Sequence, residues 1–466
     1  MSSFPAPNDA PAPAKKTWCN GTLVYTSGGL AALFFLLLFG DFALAMRERS
    51  VGPIAQWYLS HLGIPNLLFA ILLSSFPALL SLILGPIISF KSDRLRSRWG
   101  RRIPFLLVTT PLAALGMIGV AVTPVVAKWV HGHFPAQNPV VVAVVCFGVF
   151  WAAYEFASIA GGGVFAGLVN DVVPRELLGR FYGLFRAISL VDGMIFNYWI
   201  IGKVPEHFTL ILIAIGVFYG SAFLWVCFKV KEGGYPPPPP MPEPEPGRKN
   251  GLLSRFKAGA AMYFRECFTN PYYVSVFIML MLAGLSFGPI NTFAIPYANS
   301  LGVDMGIYGK FLALTYLISL CLSYFLGWLA DRFHPLRMAM VMLAGYAAVT
   351  AWGAVFATTA NTFLVAWVLH GVLSGCYFTT TASLGQRLYP QSRFAQFASA
   401  AGIVGALAGM VLAPSVGLLI DQTGRVYRHA FTIGCTLSLS ALAICFFFVY
   451  GKFKTLGGPG NYVPPE

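Results

Sequence analysis

Charged residues make up only 10% of this 466-residue sequence, and acids are the scarcer sign, with 17 Asp and Glu against 31 Lys and Arg. A soluble domain carries about 25% charged residues, and a single hydrophobic core stops growing near ~250–300 residues. A chain that is 57% hydrophobic, with a mean hydropathy of +0.70, therefore cannot hide its apolar surplus in a soluble interior. Its solvent is lipid. Cysteine is sparse too: eight, at 19, 146, 227, 267, 321, 376, 435 and 445, with no C-x-x-C pair. That spacing excludes a redox dithiol or a zinc site and leaves small apolar residues in helices. No Ser/His/Asp grouping or nucleotide loop is present. The Gly161-Gly162-Gly163 run has no Lys-Ser/Thr after it and is not a phosphate loop. No enzyme, cofactor or metal is expected. Met1 to Lys16 lacks an apolar stretch behind a basic one, so it is not read as a cleavable signal peptide. Residues 1–22 are expected to be a disordered cytoplasmic tail, which discounts the Asn20-Gly21-Thr22 sequon.

What the sequence has in abundance is apolar runs. A membrane-crossing helix needs about 20 mostly apolar residues, and twelve such runs occur, near 23–45, 65–90, 103–128, 138–168, 182–203, 207–229, 271–298, 306–329, 338–357, 361–384, 396–420 and 430–450. An all-α membrane protein follows. Short cytoplasmic loops carry the Lys/Arg excess. With the N-terminus inside, cytoplasmic segments hold 24 of the 31 cations; the other face holds seven, among them Arg47 and Arg49. Both termini are thus expected in the cytoplasm, the net charge of +14 is topological, and nucleic acid is not a partner. The interruption at 230–270 splits the helices into two sixes, 23–229 and 271–450, with a cytoplasmic tail at 451–466. Proline fills eight of the eleven positions 236–246, a semi-rigid spacer. Residues 251–266 alternate apolar and basic residues, as an amphipathic helix on the inner leaflet would.

The halves repeat each other. Gly85, Asp93, Arg94, Arg98, Trp99, Gly100, Arg101 and Arg102 follow the second span; Gly327, Asp331 and Arg332 follow the eighth. A second echo links Asp171, Pro174, Arg180 and Phe181 to Arg387, Pro390, Arg393 and Phe394 after the fourth and tenth. This pattern resembles the major facilitator superfamily of secondary transporters, whose loops carry G-x-x-x-D-R-x-G-R-R. The longer first copy, S-D-R-x-x-S-R-x-G-R-R-x-P-F, is similar to the sucrose-transporter and glycoside–cation symporter branch. The resemblance implies two six-helix repeats that rock around a central site. Small residues such as Gly85 and Gly327 let helices approach closely. Asp93 and Asp331 can pair with arginines across the cytoplasmic gap when that side is shut, a switch of a few kcal/mol.

Three acids fall inside the runs: Asp41, Glu155 and Asp192. An ionised acid at the bilayer centre costs about 2.5–3.5 kcal/mol on insertion scales, so each should face a cavity or a partner. Glu155, midway along the fourth run between Trp151, Tyr154 and Ser158, is where a carboxyl shielded from water could take and release a proton. The sucrose-transporter branch also places its proton-binding acid in the fourth helix. Asp192 and Asp41 could accept hydrogen bonds from solute hydroxyls, although Asp41, ahead of Arg47 and Arg49, equally suits an ion pair at the outer interface. His370 lies deep in the tenth run, as a proton carrier or a satisfied core residue. Pro289 and Pro296 should break the seventh helix and bring Asn291 and Tyr297 to a midplane site. Trp151 and Tyr154 could stack on a sugar. No base lies near the centre of any run, so a neutral solute is expected. Residues 65–90 contain no acid, unlike the melibiose-type symporters, which favours protons over sodium. The resulting expectation is a monomeric proton-coupled symporter of a neutral sugar or glycoside in a bacterial cytoplasmic membrane. Transport of a cell-wall fragment, nucleoside or drug, or a sensor that moves nothing, are the alternatives.

Overall fold

The computed structural model describes residues 17–235, 263–390 and 393–465. The proline run and nearly all of the expected amphipathic helix lie outside these residues, as do residues 1–16. The chain opens with a hairpin, β1 (Trp18–Asn20) and β2 (Leu23–Tyr25), paired antiparallel. Residues 18–25 are therefore folded, partly within what was expected to be a disordered tail. The hairpin is held from outside: the Asn20 amide donates to the carbonyls of Asp171 (3.0 Å) and Val173 (2.8 Å), and the Gly234 N–H donates to Thr22 Oγ1 (2.7 Å).

Twelve long helices follow among the described residues. The first half comprises α1 (Ser27–His61), α2 (Asn66–Arg94), α3 (Ile103–His133), α4 (Pro139–Val172), α5 (Leu178–Ile195) and α6 (Val204–Lys229). The second comprises α7 (Pro271–Ser300), α8 (Met305–Phe333), α9 (Pro335–Phe356), α10 (Ala360–Thr381), α11 (Phe394–Gln422) and α12 (His429–Thr455). Among the described residues, eleven helical stretches are long and apolar enough to cross a membrane, and one of them, Arg180–Lys229, contains both α5 and α6. A π turn (Phe196–Ile200), a 3₁₀ turn (Ile201–Lys203) and a break in helical geometry at His207 (φ −125°) lie where the chain turns from one into the other. The fold is an all-α membrane protein of two six-helix halves. Large apolar side chains such as Leu115, Val125, Leu210, Val411 and Phe447 point outward at more than 60% exposure, as lipid contact requires.

Two features differ from expectation, the end of α1 and the continuity of α7. Helix α1 does not end near residue 45 but runs 35 residues, carrying Arg47, Glu48 and Arg49 into the membrane. Helix α7 is continuous through Pro289 and Pro296, and the Tyr346 hydroxyl of α9 donates to the Ser286 carbonyl just before the first of them (3.2 Å). The C-terminal tail is docked, with the Tyr462 hydroxyl on the Leu388 carbonyl (2.9 Å) and the Tyr273 hydroxyl on that of Pro465 (2.8 Å).

The halves meet at their outer ends. Asp421 at the end of α11 caps α2 of the other half, accepting from the N–H groups of Asn66 (3.0 Å) and Leu67 (3.0 Å) and from the Asn66 amide (2.8 Å). Tyr427 donates to Asn66 Oδ1 at 3.2 Å, and Ser75 to the Met410 carbonyl at 2.6 Å. Between the turns that follow α5 and the start of α8, backbones touch: a Cβ on Gly202 would lie 2.7 Å from the Gly306 Cα, and one on Gly309 would overlap the Asn197 carbonyl. At the cytoplasmic ends the ion pairs stay within a half, and a Cβ on Gly85 or Gly327 would meet open space. The close helix approach expected at those two glycines is absent because the inner ends have parted. The molecule is open to the cytoplasm and sealed outside.

Candidate functional site: a charged wall facing a neutral one

The extended α1 supplies most of the charge. Asp41 and Glu48 are seven residues apart and share a face; Glu48 is 58% exposed and Asp41 is buried with Oδ2 unpartnered among the described residues. Arg47 turns the other way and is 2% exposed. Its guanidinium donates to the Tyr219 hydroxyl (3.1 Å), lies 4.8 Å from that ring's centroid and reaches Glu48 at 3.4 Å, while its Nε has no partner. Glu155 and Tyr154 on α4 lie within its electrostatic reach. Arg49 donates to Ser189 on α5 (2.9 Å) and to Tyr316 on α8 (3.4 Å), so it joins the two halves. Asp192 is 0% exposed, neither of its oxygens has a partner, and Asp41 and Arg49 are its charged neighbours. A buried carboxyl is costly unless something bonds it.

The structure thus brings Asp41, Glu155 and Asp192 to one half and overturns two expectations. Asp41 lies in the interior of α1, not at an outer interface, because α1 continues for twenty residues beyond it. The expectation that no base approaches the centre of a span fails with Arg47. Sequence reasoning missed Arg47, Glu48, Arg49 and their partner Tyr316, since three consecutive charged residues ended the apolar count. A signal was present: Val51, Ile54, Ala55, Tyr58 and Leu59 follow the helical i, i+3, i+4, i+7, i+8 spacing, and all are buried.

The opposite wall is neutral. His370 on α10 is 1% exposed; its Nδ1 is 2.8 Å from the Tyr346 hydroxyl and its Nε2 is 3.1 Å from Asn291 Oδ1. Trp367 stacks on it at 5.3 Å. With both nitrogens engaged, the ring acts as a bracket between Tyr346 of α9 and the exposed Asn291 of α7. Tyr297 does not join it. That residue sits in the last turn of α7, where its hydroxyl donates to the Ala357 carbonyl and its ring packs on Phe363 and Tyr427. Trp151 is also removed from any solute: it is 2% exposed, its indole N–H donates to the Leu72 carbonyl (2.9 Å) at the π turn of α2, and its ring stacks between Phe147 and Tyr154. Tyr154, likewise buried, packs at the end of that ladder beside Arg47.

The loop motif forms a knot beneath the first half. Arg101 grips Asp171 with two bonds (2.8 and 2.5 Å). Arg102 bonds Asp171 (3.1 Å), Ser92 (2.5 Å) and Asp93. The bond to Asp171 raises the Arg101 pKa above its ordinary value. Glu232, just past α6, accepts from the N–H groups of Arg101, Arg102 and Ile103 at 2.7–2.9 Å, capping α3. Gly100 has φ +104° beside that carboxylate, a conformation few side-chain-bearing residues adopt. Arg94 lies over Phe90, Arg98 over Trp99 and Arg332 over Trp328. Asp331 pairs with Arg387 at 2.8 Å, while Arg180 and Arg393 are exposed. Both motif acids are paired within their own halves, as the open inner side demands. Replacing Asp93 and Asp331 together with Asn should raise thiol labelling of a cysteine placed in the inner cavity, if in the closed state both acids bridge the gap. Unchanged labelling would leave them as surface pairs worth about 0–1 kcal/mol.

Residues 276–460 match the Major Facilitator Superfamily. The chain is 36% identical over 104 residues to the human Proton-associated sugar transporter A (Homo sapiens), covering 20% of this chain and 13% of that protein. It is 32% identical over 92 residues to the Membrane-associated transporter protein of Mus musculus, covering 20% and 16%. These matches span only a small part of either relative. Over 90% of the chain the fold is similar to a bacterial homologue of the iron transporter ferroportin in an inward-facing state (TM-score 0.67, 15% identity, 99% of that chain). It is also similar to the inward-open xylose transporter XylE from E. coli (TM-score 0.62, 11% identity, 90% of this chain and 96% of that one). The chain is a multi-pass integral membrane protein that shares its fold with these proteins.

Proposed function

We propose that this protein is a secondary active transporter that carries a small polar solute of the sugar class by alternating access, coupled to protons. The observation that carries the reading is the asymmetry of the two halves: Asp41, Asp192 and Glu155 beside Arg47 lie inside the first, and the neutral Asn291–His370–Trp367 bracket lies inside the second. Acids kept from water at membrane depth are where a proton is held and released, and an amide backed by aromatic rings offers a sugar both hydrogen bonds and an apolar face. Partial likeness to a protein named as a proton-associated sugar transporter, and a shared fold with a D-xylose–proton symporter, support the solute class and the ion. The absence of acids from residues 65–90 favours protons over sodium. The reading assigns a membrane protein without naming the membrane.

The test is uptake into proteoliposomes of mono- and disaccharides under proton or sodium gradients imposed separately. Accumulation driven by the proton gradient is the expected result. Movement of only non-sugar solutes in counterflow would replace the solute class, and binding without any movement would favour a sensor.

A further inference from the structure

Two prolines leave backbone carbonyls without their helical donors, and the outer part of α2 makes use of both. Pro77 follows the π turn of α2, in which N–H groups reach back five residues and the Phe76 N–H bonds the Ile71 carbonyl. The next bond of that register would run from residue 77 to the Leu72 carbonyl, and proline has no N–H to make it. The Leu72 carbonyl accepts the Trp151 indole N–H of α4 instead, at 2.9 Å. Pro414 in α11 likewise leaves the Met410 carbonyl, four residues back, without a donor. Ser75 of α2 supplies one at 2.6 Å, across the boundary between the halves. At its start, α2 is capped by Asp421 of α11, which accepts from the Asn66 and Leu67 N–H groups at 3.0 Å each. A carboxylate at a helix N-terminus is favoured by the free N–H groups and by the dipole. Residues 66–75 are therefore fixed to the second half at both ends and to α4 between them.

Trp151 stands four residues before Glu155, one turn away on the same side of α4. Its ring is held between Phe147 and Tyr154, so it moves with its helix. We propose that residues 66–75 of α2 relay the charge state of Glu155 to the outer seal, with Trp151 as the positioning residue that joins α4 to the relay. The inference rests on the proton-coupled reading above and adds the route by which a proton on α4 reaches a contact between the halves. With Glu155 ionised, Arg47 would tie α4 to α1, and Trp151 would hold Leu72 where α2 meets Asp421 and Met410. With Glu155 neutral, α4 would be free to shift and to draw the outer part of α2 off α11. Proline is what makes such a shift inexpensive. A carbonyl that lacks its helical donor can lose a side-chain partner without undoing a turn of helix.

The experiment is a double-mutant cycle read by thiol labelling of a single cysteine beneath the outer seal, in the full-length protein reconstituted without its native cysteines. Glu155→Gln should raise the outer labelling rate about fivefold or more, the size of an ordinary coupling between sites. Trp151→Phe keeps an aromatic ring in the stack and removes the indole N–H. In that background Glu155→Gln should change the rate by less than about twofold, as independent sites do. Ser75→Ala and Asp421→Asn should each raise outer labelling whether or not Glu155 is replaced. A response to Glu155→Gln that is equal with and without Trp151→Phe overturns the relay while the proton reading stands. Unchanged labelling in both Ser75→Ala and Asp421→Asn overturns it at the seal. If Glu155→Gln alters labelling in neither background the relay falls, and uphill accumulation at the wild-type level in the same vesicles would show that the role of Glu155 in proton coupling falls with it.

Discussion

Proteoliposomes containing Glu155→Gln should exchange solute across the membrane but no longer accumulate it against a gradient. Glu155 is partly buried on α4, and the charge nearest to it is Arg47, which is itself 98% removed from solvent. Arg47 has one firm partner, Tyr219, a distant one in the exposed Glu48, and an unpartnered Nε. A cation buried so deeply needs an anion, and Glu155 and Glu48 compete for it from different helices. In the proposed coupling, an ionised Glu155 would hold α4 to α1 through Arg47, and its protonation would leave Arg47 to Glu48 on its own helix. The proton therefore changes which helices are tied together, and that is how a protonation can bias the rocking of the halves. Glutamine fixes the neutral arrangement and uncouples the cycle, so the solute should come to equilibrium and stop. Tracer uptake under an inward proton gradient, set beside counterflow at equal pH, measures both activities. Wild-type accumulation in the variant would remove Glu155 from the mechanism and leave it as a hydrogen-bonding group between helices.

The helices were legible in the sequence because lipid imposes a length and an apolarity on each of them. Their direction was legible because lysine and arginine stay on one face. The sequence placed Glu155 and Asp192 in the interior for the same reason: an acid inside an apolar run stands out. It hid Arg47, Glu48 and Arg49 because adjacent charges look like the end of a span. What makes them tolerable is supplied by other helices, namely Tyr219 from α6, Ser189 from α5 and Tyr316 from α8. Partnerships across a bundle leave no trace in a single helix's composition. Tyr297 fails in the opposite direction. A tyrosine next to a proline in an apolar helix looks like a site residue, but its depth is set by where α7 ends, one turn before the outer seal. The gate acids were recognisable as a repeat, whereas their partners depend on which side of the molecule is open.

Gly309→Ala combined with Gly417→Ala should close the cytoplasmic side and open the outer one. These glycines sit where the halves touch in the outer seal. A Cβ on Gly309 would overlap the Asn197 carbonyl and the Ile201 side chain, and one on Gly417 would overlap the Asn66 carbonyl. In both cases the obstacle is backbone, which cannot rotate away. Overpacking a close contact typically costs about 1–3 kcal/mol, and a coupling of that size alters a conformational ratio by about 5- to 150-fold. Moving a two-state equilibrium from 1:99 to 99:1 takes about 5.5 kcal/mol, so the two substitutions together approach a full reversal. The penalty applies to the inward-open state alone, because in the outward-open state these helices separate. Each half keeps its own packing, so the variant should still fold. The measurement is thiol labelling of two single-cysteine reporters in a background without native cysteines, one in the inner cavity near Arg186 and one beneath the seal near Asn66. Inner labelling should fall and outer labelling rise by an order of magnitude or more, with transport strongly reduced because the cycle stalls. Inner labelling that stays at the parental rate would mean that α5 and α8, and α2 and α11, do not form the outer gate.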